Sequence, residues 1–260
     1  MIRRGVIAAL ILCATVATAQ DADDAVLEGA EGRVEPVSGF TGQMSMTMEA
    51  GVPEDMAVTE VIRFEPWQML DEIFRDDLVF VMRAGPTDWD ASDDPEAGPM
   101  ECDRQRRLSE AGAERMRQLG ALMIVNGIRP GAVRVSRWCR AQETYAAMER
   151  GMLATGKRAL DGMDVAGAER LAPVGAAHGA VDAEGLLEAA MAWEGGEDGP
   201  LLLVTDFPNI EGMTRFNTYE GEMLIVDPKR GGRVLGYLRL GSAEPDPIHF
   251  DPWTTSAAGD

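Results

Sequence analysis

Two short, unbroken apolar runs constrain this chain most: Leu78-Val-Phe-Val-Met82 and Leu201-Leu-Leu-Val204. A strand with one wet face alternates apolar and polar residues. A strand with no polar position needs a packed layer on each side, which is the pattern of a parallel sheet inside an α/β protein. Between the runs lie segments of helical spacing. Ser109 stands before Met116, Leu119, Leu122 and Met123, and Gly127 with Pro130 closes that helix. Ala132 to Ser136 reads as the next strand, and Ala141 to Met152 as a helix with Tyr145, Met148 and Met152 on a shared side. Asp182 caps a third helix through Trp193. Glu222 to Asp227 and Arg233 to Leu240 flank the turn Pro228-Lys-Arg-Gly-Gly232 and read as an antiparallel pair. This order predicts an α/β fold, a three-layer α/β/α sandwich with a mostly parallel central sheet and an antiparallel C-terminal edge.

The chain ends follow other rules. Arg3 and Arg4, the apolar stretch Val6 to Val16 and the small residues Ala17-Thr18-Ala19 have the layout of a signal peptide cleaved before Gln20. Residues 1–19 are therefore expected to leave, giving a periplasmic or secreted protein with no membrane attachment. The apolar stretch is short for a membrane span, and the acidic cluster Asp21-Ala-Asp-Asp24 follows it closely. Residues 20–77 read as an N-terminal arm with peripheral strands, around Met44–Met48 and Val58–Phe64, and a short helix over Pro66–Phe74. The methionine alternation reads as packing rather than a metal site, since no other ligand type accompanies it. Residues 78–242 form the main domain. Residues 243–260, with Pro245, Pro247 and Pro252, are expected to run along the surface as a tail.

Charge narrows the partners. The 260 residues carry 44 Asp+Glu against 24 Lys+Arg, a formal charge of −20. Such a field repels polyanions, so nucleic acid is not an expected partner. Cys13 departs with the leader, which leaves Cys102 and Cys139. An even pair in an oxidising compartment suits a disulfide, whereas no further Cys or His lies at zinc spacing. The acidic run Asp88 to Glu96 fails the calcium-loop pattern, with Asp93 at the glycine position and Pro99 at the terminal glutamate position, and reads as a solvated loop. No metal and no cofactor are expected.

Open parallel sheets place ligands beyond the carboxyl ends of their strands. Three polar clusters fall there: Arg83-Ala-Gly-Pro-Thr87, Ser136-Arg-Trp-Cys-Arg-Ala-Gln-Glu-Thr144 and Thr205-Asp-Phe-Pro-Asn209. Arg83 and Arg140 are suited to converge as forked anion ligands, and equally suited to structural salt bridges. Spacing alone leaves both readings open.

These clusters, together with Cys102-Asp-Arg-Gln-Arg-Arg-Leu-Ser-Glu-Ala-Gly112, resemble branch 1 of the histidine phosphatase superfamily, which includes phosphoglycerate mutase-like and phosphohistidine phosphatase-like proteins. The resemblance spans Leu78 to about Leu240. It implies a phosphate pocket built from Arg83, Arg140 and Asn209, with a looser match at Thr87. It also implies phosphomonoester or phosphohistidine hydrolysis through a phosphohistidine intermediate. Two positions depart from that pattern. Ala84 stands where the family carries its nucleophilic histidine, and a methyl group cannot accept a phosphoryl group. Asp206 stands where the family carries its second histidine, and it neutralises part of the arginine cluster. His178 and His249 match neither motif, and Lys157 to Ala180 shows no clear acidic proton donor.

The expectation is an exported, catalytically degenerate protein that binds a small anion or phosphorylated ligand weakly, or meets a protein partner. Two rival readings remain: a phosphomonoester hydrolase with a rearranged nucleophile, and an active parent phosphatase whose two histidines have been substituted.

Overall fold

The computed structural model describes residues 46–48, 58–64, 73–171, 183–196 and 199–250. The leader, most of the proposed 66–74 helix, His178 and the last ten residues lie outside that set.

Among the described residues, eight strands form one sheet: β1 (Met46–Met48), β2 (Ile62–Phe64), β3 (Val79–Arg83), β4 (Ala132–Ser136), β5 (Asp164–Ala168), β6 (Leu201–Thr205), β7 (Met223–Asp227) and β8 (Arg233–Leu240), in the order β1-β2-β8-β7-β3-β6-β4-β5. Strands β3, β6, β4 and β5 run parallel, and β7, β8, β2 and β1 continue the sheet antiparallel. The described helices α1 (Glu110–Val125), α2 (Cys139–Thr155), α3 (Ala183–Met191) and α4 (Phe207–Thr214) complete the sandwich. The architecture is the one expected.

The unbroken apolar runs are explained by their two covers. On β3, Phe80 and Met82 join the core formed with Met116, Leu119 and Leu122 of α1 and Met148 of α2. Their neighbours Val79 and Val81 join Leu186 and Ala190 of α3 and Ile210 of α4 in a second core. Alternate residues thus bury on opposite faces. Leu202 and Val204 of β6 oppose Leu201 and Leu203 in the same way.

Local chemistry sets the helix ends. The Ser109 hydroxyl accepts a 2.9 Å hydrogen bond from the Gly112 amide at the start of α1. Gly127, at φ +74°, turns the chain out of that helix. Helices α1 and α2 approach closely because glycine permits it. A Cβ on Gly120 would stand 2.1 Å from the Met148 carbonyl oxygen, and one on Gly151 would stand 1.7 Å from that of Arg117.

Two elements escaped the sequence reading. Strand β5 is largely exposed and contains Gly167, so it lacks an apolar signal. Helix α4 begins at the site itself, with Pro208 in its first turn. The C-terminal segment differs as well: Asp246 is buried rather than carried on the surface. Among the described residues, no helix is long and apolar enough to cross a membrane.

Candidate functional site

The carboxyl ends of β3, β4 and β6 open on a cavity of about 430 Å³. Strand β3 delivers Arg83 and Ala84, the start of α2 delivers Arg140, and β6 leads into Asp206. These four residues all line the cavity, as does Thr87. The Ala84 amide donates to the Thr205 carbonyl at 2.8 Å, which joins the two strand ends. The Gly85 amide donates to the Thr144 hydroxyl at 2.8 Å, fixing the β3 loop against α2.

Both predicted arginines are buried, and both are already engaged. Arg140 donates through Nε to Asp206 Oδ1, and through Nη1 to both carboxylate oxygens of Asp93 at 3.0 Å. Burial works against the Arg140 charge, but Asp206 and Asp93 outweigh it and raise its pKa. Asp206 occupies the N-cap position of α4, yet its side chain caps no backbone amide there. Its Oδ1 serves Arg140, while Oδ2 is buried without a partner among the described residues.

Arg83 is held from the other side. Its Nη1 donates to the Thr218 carbonyl at 2.6 Å and to Asp246 Oδ2 at 2.7 Å. Glu220 Oε1 stands 3.9 Å from Nη2. The tail expected on the surface therefore places a carboxylate directly on the first arginine. Burial on its own would raise the Asp246 pKa. The hydrogen bond with His249 and the Arg83 charge reverse that and hold the carboxyl well below its ordinary range. Asp246 also orders its own segment: Oδ1 accepts from the amides of Ile248 and His249 at 3.0 and 2.9 Å. The His249 Nδ1 lies 2.9 Å from the same oxygen, and the ring stacks on Phe207 with centroids 3.7 Å apart.

The other expected pocket residues divide. Thr87 donates from its hydroxyl to Glu220 Oε1 at 2.6 Å. Asn209 does not line the cavity. Its amide nitrogen donates to the Leu171 carbonyl and the Thr205 hydroxyl, each at 2.9 Å, which ties α4 to the sheet.

The loop after β3 is also different from its expected form. Asp93, in the run read as solvated, turns inward onto Arg140 because that buried guanidinium needs a counter-charge. Cys102 and Cys139 are bonded, with Cα atoms 5.5 Å apart, so this loop is joined to the start of α2. Gln105 reinforces the connection by accepting from the Cys139 amide at 2.9 Å. The next residue, Arg106, also lines the cavity and stacks 3.6 Å over the Trp89 ring.

Arg106, Glu220, Asp246 and His249 were not assigned by sequence reasoning. Arg106 lay inside a recognised segment, but nothing separated it from Arg104 and Arg107. The Asp246-Pro-Ile-His249 stretch carried the signal of a local Asx-type turn. It carried none for the distant Arg83.

The arrangement is an arginine cluster neutralised from within. The guanidinium groups of Arg83 and Arg140 meet the carboxylates of Asp93, Asp206, Glu220 and Asp246, and that of Arg106 lines the same cavity. No side chain at position 84 can act as a nucleophile.

No protein-family model matches this chain, and no curated protein matches it significantly. Solved structures give distant likenesses. The protein histidine phosphatase SixA complexed with tungstate is 17% identical, with 62% of this chain and 96% of that chain covered and a TM-score of 0.45. Phosphoglycerate mutase from Plasmodium falciparum is 15% identical, over 66% of this chain and 94% of that one, with a TM-score of 0.39. The mycobacterial glucosyl-3-phosphoglycerate phosphatase is also 15% identical, covering 65% and 100%, with a TM-score of 0.39. No residue role follows from them.

Proposed function

We propose that this chain is an exported, catalytically silent protein with a histidine-phosphatase-like site, whose cavity binds a small anionic ligand without turning it over. The observation that carries this reading is the replacement at the strand ends. Ala84 offers a methyl group where phosphoryl transfer needs an acceptor, and Asp206 neutralises Arg140 where a phosphoryl oxygen would sit. Positioning groups remain, but the bond-forming atom is gone.

The test is a search for the covalent intermediate. Wild-type protein mixed with acetyl phosphate and analysed by intact mass should show no added phosphoryl group. A stable phosphoprotein adduct would overturn the reading.

One observation favours a second reading, a hydrolase with a rearranged nucleophile. His249 lines the same cavity, with Asp246 beside its Nδ1. That reading requires a phosphoadduct on His249 which the His249→Ala variant does not form. The third reading, an active parent with two substituted histidines, requires the Ala84→His/Asp206→His pair to restore full turnover.

Export rests on the leader alone. Intact mass of protein recovered from its producing cells should show a chain beginning at Gln20. A chain still beginning at Met1 would contradict it.

A further inference from the structure

The carboxylates around the cavity are distributed unequally. Arg83 is bonded to Asp246, and Arg140 to Asp206 and Asp93. Arg106 has no ion pair with a carboxylate among the described residues, and its buried Nε–H has no hydrogen-bond partner there. Such a donor is costly to leave unmade. Burial first, and then the Arg140 charge, weigh against the Arg106 charge and lower its pKa, although the nearby charges of Asp93 and Glu220 offset part of that.

The side chain is nonetheless held in place. Asp93 Oδ1 accepts from the Arg106 backbone amide at 2.8 Å. The guanidinium lies on Trp89, whose indole N–H donates to Glu220 Oε2 at 3.1 Å. The Cys102–Cys139 bond and the Gln105–Cys139 hydrogen bond anchor the preceding turn. This is a fixed cation with one unpaired donor, lining a cavity of about 430 Å³, within the ordinary size range of small-molecule sites.

We propose that Arg106 is the anion-binding group of this cavity, and that its ligand is a small monocarboxylate with an apolar body seated among Trp89, Phe207 and Ile248. The proposal rests on the non-hydrolytic reading above and names the ligand class. A single negative charge complements the Arg106 guanidinium. A phosphate dianion brings a second charge toward Glu220, Asp93 and Asp206, which have no spare cation to offset it. The planar carboxylate also matches the guanidinium fork. The aromatic and aliphatic wall residues accept the rest of the molecule.

The experiment is a calorimetric titration of the mature protein with benzoate and, separately, with inorganic phosphate at about pH 8, where phosphate is a dianion. Benzoate should bind at least about tenfold more tightly than phosphate, and Arg106→Gln should weaken benzoate by at least about tenfold. A second readout on the wild type guards against a variant that fails to fold. In protein labelled with ¹⁵N-arginine, benzoate should move one arginine Nε–H resonance strongly, and Arg106→Lys should delete that resonance. Phosphate binding as tight as benzoate, no benzoate binding up to about 10 mM, or unchanged benzoate affinity in folded Arg106→Gln would each overturn the proposal. The two readings fail separately. A phosphoenzyme defeats the non-hydrolytic reading, whereas loss of the benzoate preference defeats this inference.

Discussion

Asp206 and Asp246 are the residues through which this cavity departs most from an open anion site. Each gives its carboxylate to one of the two arginines that the sequence marked for a ligand. Replacing Asp206 by Asn keeps the shape and removes the charge. Arg140 still holds Asp93, so folding should survive with a loss of about 2 kcal/mol, measured by urea denaturation. Phosphate affinity should rise, because one repulsive charge has left. Asp246 makes a pH prediction. Its folded pKa lies below its unfolded value, so the stability it contributes is complete above the ordinary Asp pKa of 3.8. That stability is lost as pH falls below about 4 toward the folded value. The Asp246→Asn variant should therefore be less stable than wild type at neutral pH, and the difference should shrink as pH falls through this range. A difference that stays constant from neutral pH to pH 3 would count against the Arg83–Asp246–His249 arrangement. Individual residues were the least legible scale in the sequence. Arg83 and Arg140 stand out because they follow predicted strands, and Ala84 and Asp206 because they depart from the family pattern the motifs resemble. Asp93 and Arg106 reach the cavity, and Asp246 reaches Arg83, through folded-back segments, and no periodicity encodes such a path.

Elements were far easier to read, for reasons visible in β3 and α1. Five consecutive apolar residues have few alternatives to a doubly covered strand, and the Ser109 cap with Gly127 frames α1 at both ends. By contrast β5 has exposed Asp164 and Val165 and a glycine, so its place in the sheet is set by pairing with β4 rather than by its own composition. The close contact of α1 with α2 was also hidden. Gly120 and Gly151 look like weak helix residues in a sequence, yet each leaves room for a carbonyl oxygen of the other helix. Gly151→Ala should destabilise the protein by about 3 kcal/mol, the upper end of the usual overpacking cost, since backbone rather than a flexible side chain must move. An exposed helix position would instead gain from the same change, so a neutral or stabilising result in thermal denaturation would refute that packing.

At the scale of the whole molecule, the sheet gathers three strand ends and the disulfide joins two of the loops they feed. Cys102 and Cys139 are 37 residues apart, and loop entropy gives their bond about 4 kcal/mol of stabilisation. Reduction should lower the denaturation midpoint accordingly, and it should also weaken benzoate binding through the Arg106 turn. A reduced protein with an unchanged midpoint would show that the bond does not constrain the unfolded chain. The α/β/α plan was legible because it follows from apolar runs and their order. The internal neutralisation of the cavity was not, because it depends on which carboxylates arrive from β3's following loop and from the tail. Those arrivals decide the function proposed here: an arginine-lined cavity becomes a quiet binding site when it lacks an acceptor and its own chain supplies the counter-charges. The most direct measurement is steady-state hydrolysis of p-nitrophenyl phosphate and phosphohistidine by homogeneous wild-type protein over pH 4–9, without added metal. The account predicts no turnover above the uncatalysed rate. Turnover with a kcat of about 1 s⁻¹, abolished by Arg83→Ala or Arg140→Ala, would contradict it.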